Sequence, residues 1–240
     1  MGPPFRAVYF DCDSTLSSIE GVDELLAFAD PALRAEIAEL TEQAMNGSRP
    51  LAEVYETRLG RLAPRREQLH TVGEAYVDHL VADAAATIRA LQFLGKEVGI
   101  VSGGLLAPVQ HLARHLGVDL AAVHAVPLLF DDDGNYRDFD HGSPLWRNGG
   151  KVPVVQSVPE HHRPLAFVGD GITDLETAPH VDRFVGFGGV VARDAVRAGA
   201  EFFTDRPTLA AVLPLLLSDA ELARLAAEAE FAPLLSAAKA

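Results

Sequence analysis

The chain is short of several things, and each shortage narrows what it can be. It has one cysteine in 240 residues. No internal disulfide can form, so the expected setting is a reducing compartment, the cytoplasm. No run approaches the roughly 20 consecutive apolar residues of a membrane helix. The longest candidate, AAVLPLLL from Ala210, is broken by Pro214. The opening MGPPFRAVYF lacks the charged-then-apolar order of a secretory signal. Basic side chains are scarce: 20 lysines and arginines face 34 aspartates and glutamates, a net charge of −14. Nucleic-acid binders usually carry a basic patch, so that partner class is not expected. An anionic small molecule would need a divalent metal and a few local cations.

Apolar residues are plentiful, at 48% of the chain, enough for a substantial core. Residues 7–10, AVYF, read as a buried strand that ends at Asp11. From Glu20 to about residue 80 the pattern is helical. Asp30-Pro31 marks a helix start there, AMNGSRP a turn, and further helices follow Leu51 and Pro64. From about Asp83 helices and strands alternate. AAATIRALQFLG is a helix closed by Gly95, EVGIVS a strand, and LLAPVQHLARHLG a helix closed by Gly117. AAVHAVPLLF and NYRDF suggest a β-hairpin turning at Asp133-Gly134. KVPVVQSV is a short helix; LAFVGD, RFVGFG and EFFT are short strands; the last thirty-odd residues are helical. This alternation predicts an α/β fold with a doubly wound, mostly parallel sheet. Residues 1–16 and 81–240 form the expected α/β core, and 17–80 an inserted helical cap. The helices after Arg206 could pack on that core or on a second copy, as a homodimer.

Sites in such sheets lie at the carboxyl ends of strands, and polar residues gather at those positions. AVYF runs into Asp11, Asp13, Ser14 and Thr15; VGIV into Ser102, Gly103 and Gly104; LAFV into Gly169, Asp170, Gly171, Thr173 and Asp174. Lys151 precedes the last of these strands. Hard oxygen donors with few histidines suit Mg²⁺. One ion between Asp11 and Asp170 would make like charges tolerable. Gly103 and Gly104 let backbone N–H groups approach an anion at a helix start. A carboxylate beside a metal-bound phosphate is a competent nucleophile.

DCDST, SGG, the lysine of GGK, and GDGITD resemble, in order, the four motifs of the haloacid dehalogenase superfamily of phosphotransferases. FDCDSTLSSIEGVDELLAFA, AMNGSRPLAEVYETRLGRLAP and GDGITDLETAPHVDRFVGFGGVVARDAV resemble more narrowly its branch acting on O-phosphoserine. The resemblance runs from about residue 7 to 205. It implies a Mg²⁺-dependent phosphomonoesterase performing the last step of serine biosynthesis, with a small phosphomonoester as its partner and neither nucleic acid nor membrane. It also implies residue roles. Asp11 is the nucleophile and a metal ligand. Asp13 is the general acid and then base, with its carbonyl on the metal. Asp170 completes the metal ligands, and Asp174 supports the metal's water shell. Ser102, Gly103 and Lys151 hold the phosphoryl oxygens. Glu20 meets the substrate ammonium and Arg58 its carboxylate; Met45, Gly47 and Thr173 complete the substrate-binding set. Thr173 stands where many bacterial members carry Asn, which shifts the branch more than the activity.

Plainer readings exist for several of these residues. Asp11 and Asp13 could form an ordinary strand-end turn. Ser17 and Glu20 fit a helix capping box. Arg58 could be a solvated surface residue, and Ser102 a helix cap. Cys12, between two carboxylates that oppose thiolate formation, reads as a core residue. The DDD at 131–133 reads as a hairpin tip, and His161-His162 as a loop. Other functions compete as well: a related phosphatase or phosphotransferase, a phospho-aspartate signalling module, or a non-catalytic binding protein.

Overall fold

The computed structural model describes residues 4–45 and 50–239, with the side chains of 42–45 and 51 excepted. Among the described residues there are eight strands: β1 (Ala7–Phe10), β2 (Glu97–Leu105), β3 (Val123–Val126), β4 (Leu128–Phe130), β5 (Tyr136–Phe139), β6 (Leu165–Gly169), β7 (Arg183–Phe187) and β8 (Phe202–Thr204). Six of them form one sheet in the order β3-β2-β1-β6-β7-β8, and every pairing in it is parallel. Parallel strands are covered on both faces and so read as continuous apolar runs; β1 is buried at all four positions. It lies between β2 and β6, where the strand order reverses. A crevice opens at the carboxyl ends of strands at such a point.

The helices are α1 (Gly21–Glu24), α2 (Pro31–Met45), α3 (Leu51–Leu62), α4 (Gln68–Asp78), α5 (Ala84–Phe93), α6 (Leu106–Leu116), α7 (Lys151–Ser157), α8 (Ile172–Leu175), α9 (Asp194–Gly199), α10 (Leu213–Leu216), α11 (Asp219–Ala226) and α12 (Ala232–Ala237). Asp30 starts α2 by accepting the Leu33 amide at 2.9 Å, the expected capping bond. Gly95 and Gly117 follow α5 and α6 with φ of +79° and +69°, the left-handed turn that commonly ends a helix.

The four helices between β1 and α5 are not equivalent. Ile37, Leu40 and Val54 of α2 and α3 make a small apolar cluster of their own. Leu69, Val72 and Tyr76 of α4 instead join the main core, where α4 packs along α6. Gly73 permits this approach: a Cβ there would stand 2.7 Å from His111 Cβ.

Two boundaries differ from expectation. β2 continues through Ser102, Gly103 and Gly104 to Leu105, so these glycines finish a strand instead of opening a helix. AAVHAVPLLF is divided at Pro127: Val123–Val126 joins the main sheet, and only Leu128–Phe130 pairs antiparallel with β5. Proline lacks the N–H that a ladder needs, so pairing breaks there.

The tail packs on its own core. Leu225, Phe231 and Leu234 enter the main cluster. Lys96 Nζ binds Glu221 Oε1 of α11 at 2.5 Å and the Phe5 carbonyl at 2.7 Å. Among the described residues, no helix is long and apolar enough to cross a membrane.

Candidate active site

β1 delivers Asp11 to the crevice, its amide still bonded to the Val168 carbonyl of β6 at 2.9 Å. The chain then turns sharply. Ser14 takes φ +52°, sparsely populated for a residue with a Cβ, and the Leu16 and Ser17 amides return to the Cys12 carbonyl. Thr15 Oγ1 donates to Asp170 Oδ1 at 3.2 Å. The turn therefore ties the tip of β1 to the tip of β6.

Asp11, Asp170 and Asp174 are buried, and each offers a carboxylate oxygen within 4.8 Å of the others. Lys151, at the first position of α7, lies 2.6 Å from Asp11 Oδ1 and 2.5 Å from Asp174 Oδ1. Arg193 Nε lies 3.0 Å from Asp170 Oδ2. Burial pushes the Asp11 carboxyl well above the ordinary range; Asp174 adds to this against Lys151, and Asp170 and Asp13 raise it further. Burial and then Asp174 push Asp170 up to about 6, against Arg193 and Lys151. Burial alone would weaken the Lys151 ammonium, but Asp11 and Asp174 override it and hold the pKa above normal. Negative charge thus exceeds what these two cations balance. A hard divalent ion fits such an all-oxygen donor set.

Asp13, two residues on, belongs to a different group. Its Oδ1 accepts from Tyr76 OH at 2.6 Å and from the Gly21 amide at 2.7 Å; its Oδ2 accepts from Ser102 Oγ at 3.1 Å. Ser102 Oγ in turn accepts the Gly104 amide at 2.8 Å. Gly104 is needed for this arrangement, because a Cβ would sit 2.9 Å from Asp13 Oδ2 and 3.0 Å from Ser102 Oγ.

Helical residues close the far side. Glu20 Oε1 accepts from Ser14 Oγ at 2.8 Å. Burial, then Asp13, pushes Glu20 up to about 7. Ser17 Oγ bonds the His79 carbonyl instead of capping α1, so the capping-box reading gives way. Arg58 pairs with Asp23 through one guanidinium nitrogen, while its buried Nε has no partner. The surface reading of Arg58 fails, since its side chain is only 15% exposed. Tyr55 OH donates to the Gly103 carbonyl at 3.1 Å.

Sequence reasoning singled out Asp11, Asp13, Ser102, Lys151, Asp170 and Asp174, and the structure brings them together. Thr173 is half-buried in α8. Met45 is the last residue of α2, described by its backbone alone, and Gly47 lies outside the described residues. Tyr76, Tyr55 and Arg193 were missed. Tyr55 and Arg193 lay within stretches already singled out by their resemblance; Tyr76 did not. Cys12 is free and fully buried, and burial, with Asp13 and Asp11, pushes its thiol well up.

Fold and site together define an α/β protein with a buried acidic cluster at the tips of its central parallel strands. A family model for haloacid dehalogenase-like hydrolases matches residues 5–182, and the chain belongs to that family. Phosphoserine phosphatase of Bos taurus is 36% identical over 199 residues, 82% of this chain and 88% of that one. The Drosophila melanogaster phosphoserine phosphatase is 32% identical over 201 residues, 82% and 74% of the two chains. A solved substrate-bound phosphoserine phosphatase complex superposes with a TM-score of 0.74 at 22% identity, covering 90% of this chain and 100% of that one. This last likeness concerns the fold.

Proposed function

We propose that the chain is a Mg²⁺-dependent phosphomonoesterase that hydrolyses O-phosphoserine to serine and phosphate through an aspartyl-phosphate on Asp11. The observation that carries this is the buried cluster of Asp11, Asp170 and Asp174 with Lys151 set 2.6 Å from Asp11. It pairs a carboxylate nucleophile with a cation for the phosphoryl oxygens at the tip of the central strand.

An oxygen of Asp11 attacks phosphorus, and the bond from phosphorus to the serine oxygen breaks. Asp13, within reach of Ser102 and Tyr76, gives the departing alkoxide its proton. Asp13 then takes a proton from water as that water attacks the phosphorus, and the bond to Asp11 breaks. Ser102, the Gly103 backbone and Lys151 hold the phosphoryl oxygens, so positioning and electrostatics supply most of the rate. Asp11, Asp170 and the Asp13 carbonyl would hold Mg²⁺, with Asp174 at its water shell. When bound, the ion would neutralise charge on the phosphoryl group.

Residues 17–80 act as a cap that excludes water and selects the substrate. Glu20, raised by burial and by Asp13, gains from an arriving ammonium. The unpartnered Nε of Arg58 gains from a carboxylate. The resemblance adds Met45, Gly47 and Thr173 to the substrate-binding set. The free buried cysteine and the acidic balance support a cytoplasmic enzyme acting on small molecules.

A panel of phosphomonoesters assayed with Mg²⁺ and with EDTA tests the reading. O-phosphoserine is expected to lead, and EDTA to abolish turnover. Arg58→Ala is expected to raise KM for O-phosphoserine by about tenfold, the loss of one charge-assisted bond, and by less for 4-nitrophenyl phosphate. Equal losses on both esters would remove the substrate assignment.

A further inference from the structure

We infer that Tyr55 is a positioning residue that registers the substrate-facing turn of α3 against the end of β2 that binds the phosphoryl group, and so sets how Arg58 meets the substrate carboxylate. The inference rests on the phosphoserine reading for its choice of substrates. Tyr55 belongs to the helical segment, yet its hydroxyl donates to the Gly103 carbonyl of β2 at 3.1 Å. Its ring meets Phe139 of β5 edge-on, at 5.7 Å between centroids, and Phe139 in turn meets Trp146 at 5.2 Å. One side chain therefore joins the helical segment, the hairpin and the tip of β2.

Arg58 follows Tyr55 by three residues, so the two share a helix face. Both Arg58 and Asp13 lie near enough to act on the Tyr55 phenol. Burial and then Asp13 raise that phenol above its usual range, against Arg58. It therefore stays protonated and a donor at neutral pH. The Gly103 carbonyl fixes where this turn of helix stops. Arg58, whose Nε is buried without a partner, is carried on the same turn, and a small tilt of α3 displaces it. Packing alone does not require the hydroxyl, because phenylalanine would fill the same space against Phe139.

The test compares wild type and Tyr55→Phe on O-phosphoserine and on 4-nitrophenyl phosphate with Mg²⁺, each alone and in an Arg58→Ala background. The expected result is a rise of about fivefold in KM for O-phosphoserine, the scale of one lost hydrogen bond. kcat is expected to change much less, as is KM for the aryl ester. In the Arg58→Ala background, Tyr55→Phe is expected to leave the ratio of the two substrates unmoved, because the residue acts through Arg58. Tyr55→Leu, which keeps an apolar side chain, is expected to show the same selective rise. Equal losses on both esters, additive effects with Arg58→Ala, or a lowered melting temperature with unchanged KM overturn the inference. A wild type that does not turn over O-phosphoserine strikes the functional reading instead.

Discussion

The site has a floor and a roof, and they are built differently. The floor is strand-tip carboxylate packed against ammonium: Lys151 touches both Asp11 and Asp174, and all three are buried. The roof is helical, carries its own ion pair of Arg58 with Asp23, and meets the strand tips through neutral donors: Tyr76 and the Gly21 amide on Asp13, Ser14 on Glu20, and Tyr55 on Gly103. Beyond it, α2 and α3 meet through the small cluster of Ile37, Leu40 and Val54 and the exposed Arg61–Glu36 pair. Charge concentrated in a rigid floor suits chemistry that must be preorganised. A lighter roof suits a part that must admit a substrate.

Perturbing the floor is expected to have the largest effects. Asp11→Asn removes the attacking oxygen, and kcat is expected to fall on the order of 10³-fold or more; steady-state phosphate release measures it. Lys151→Met leaves two buried carboxylates without their shared cation. Breaking a buried pair in this way costs about 3–5 kcal/mol, to be read by urea unfolding in EDTA. Losses near zero would mean that the floor is not preorganised by this lysine.

A roof residue should respond to pH instead. Glu20 sits near pKa 7 in the folded, metal-free protein, above the ordinary value of about 4.3. The folded state therefore binds the extra proton, and stability falls as pH rises from about 4 to 7. Glu20→Gln cannot ionise. It is expected to match wild type near pH 4 and to exceed it by up to about 3 kcal/mol at pH 8 in EDTA. Calorimetry across that range checks the sign, and parallel curves would contradict it.

The smallest effect lies far from the site. Burial raises Glu221, but Lys96 and Ser218 outweigh it and hold the carboxyl below its usual value. The pair's contribution is present above about pH 4.3 and lost as pH falls through the depressed folded value. Glu221→Gln is expected to cost about 1 kcal/mol at pH 7, with the gap closing in acid.

The floor and the roof also differ in how far the sequence shows them. Parallel strands advertise themselves as short apolar runs, so AVYF and LAFV marked where Asp11 and Asp170 would stand. Cap glycines and Asp30-Pro31 marked helix ends. The run of β2 through Gly103 and Gly104 was not legible, because glycines ordinarily end a strand pattern. Nor was the division at Pro127, where one apolar run serves two sheets. The contacts of Tyr76 with Asp13 and of Tyr55 with Gly103 join residues 63 and 48 positions apart. No local periodicity encodes such pairs. Arg193 reaches Asp170 across 23 residues from a stretch whose own pattern is only a short helix start.

The central claim is that Asp11 attacks phosphorus, and trapping the intermediate tests it most directly. Enzyme mixed with O-phosphoserine carrying a labelled phosphorus, quenched in acid and mapped by peptide, is expected to hold hydroxylamine-labile label on the peptide containing Asp11. Label absent from that peptide during rapid turnover, or the same label found in Asp11→Asn, would contradict the account.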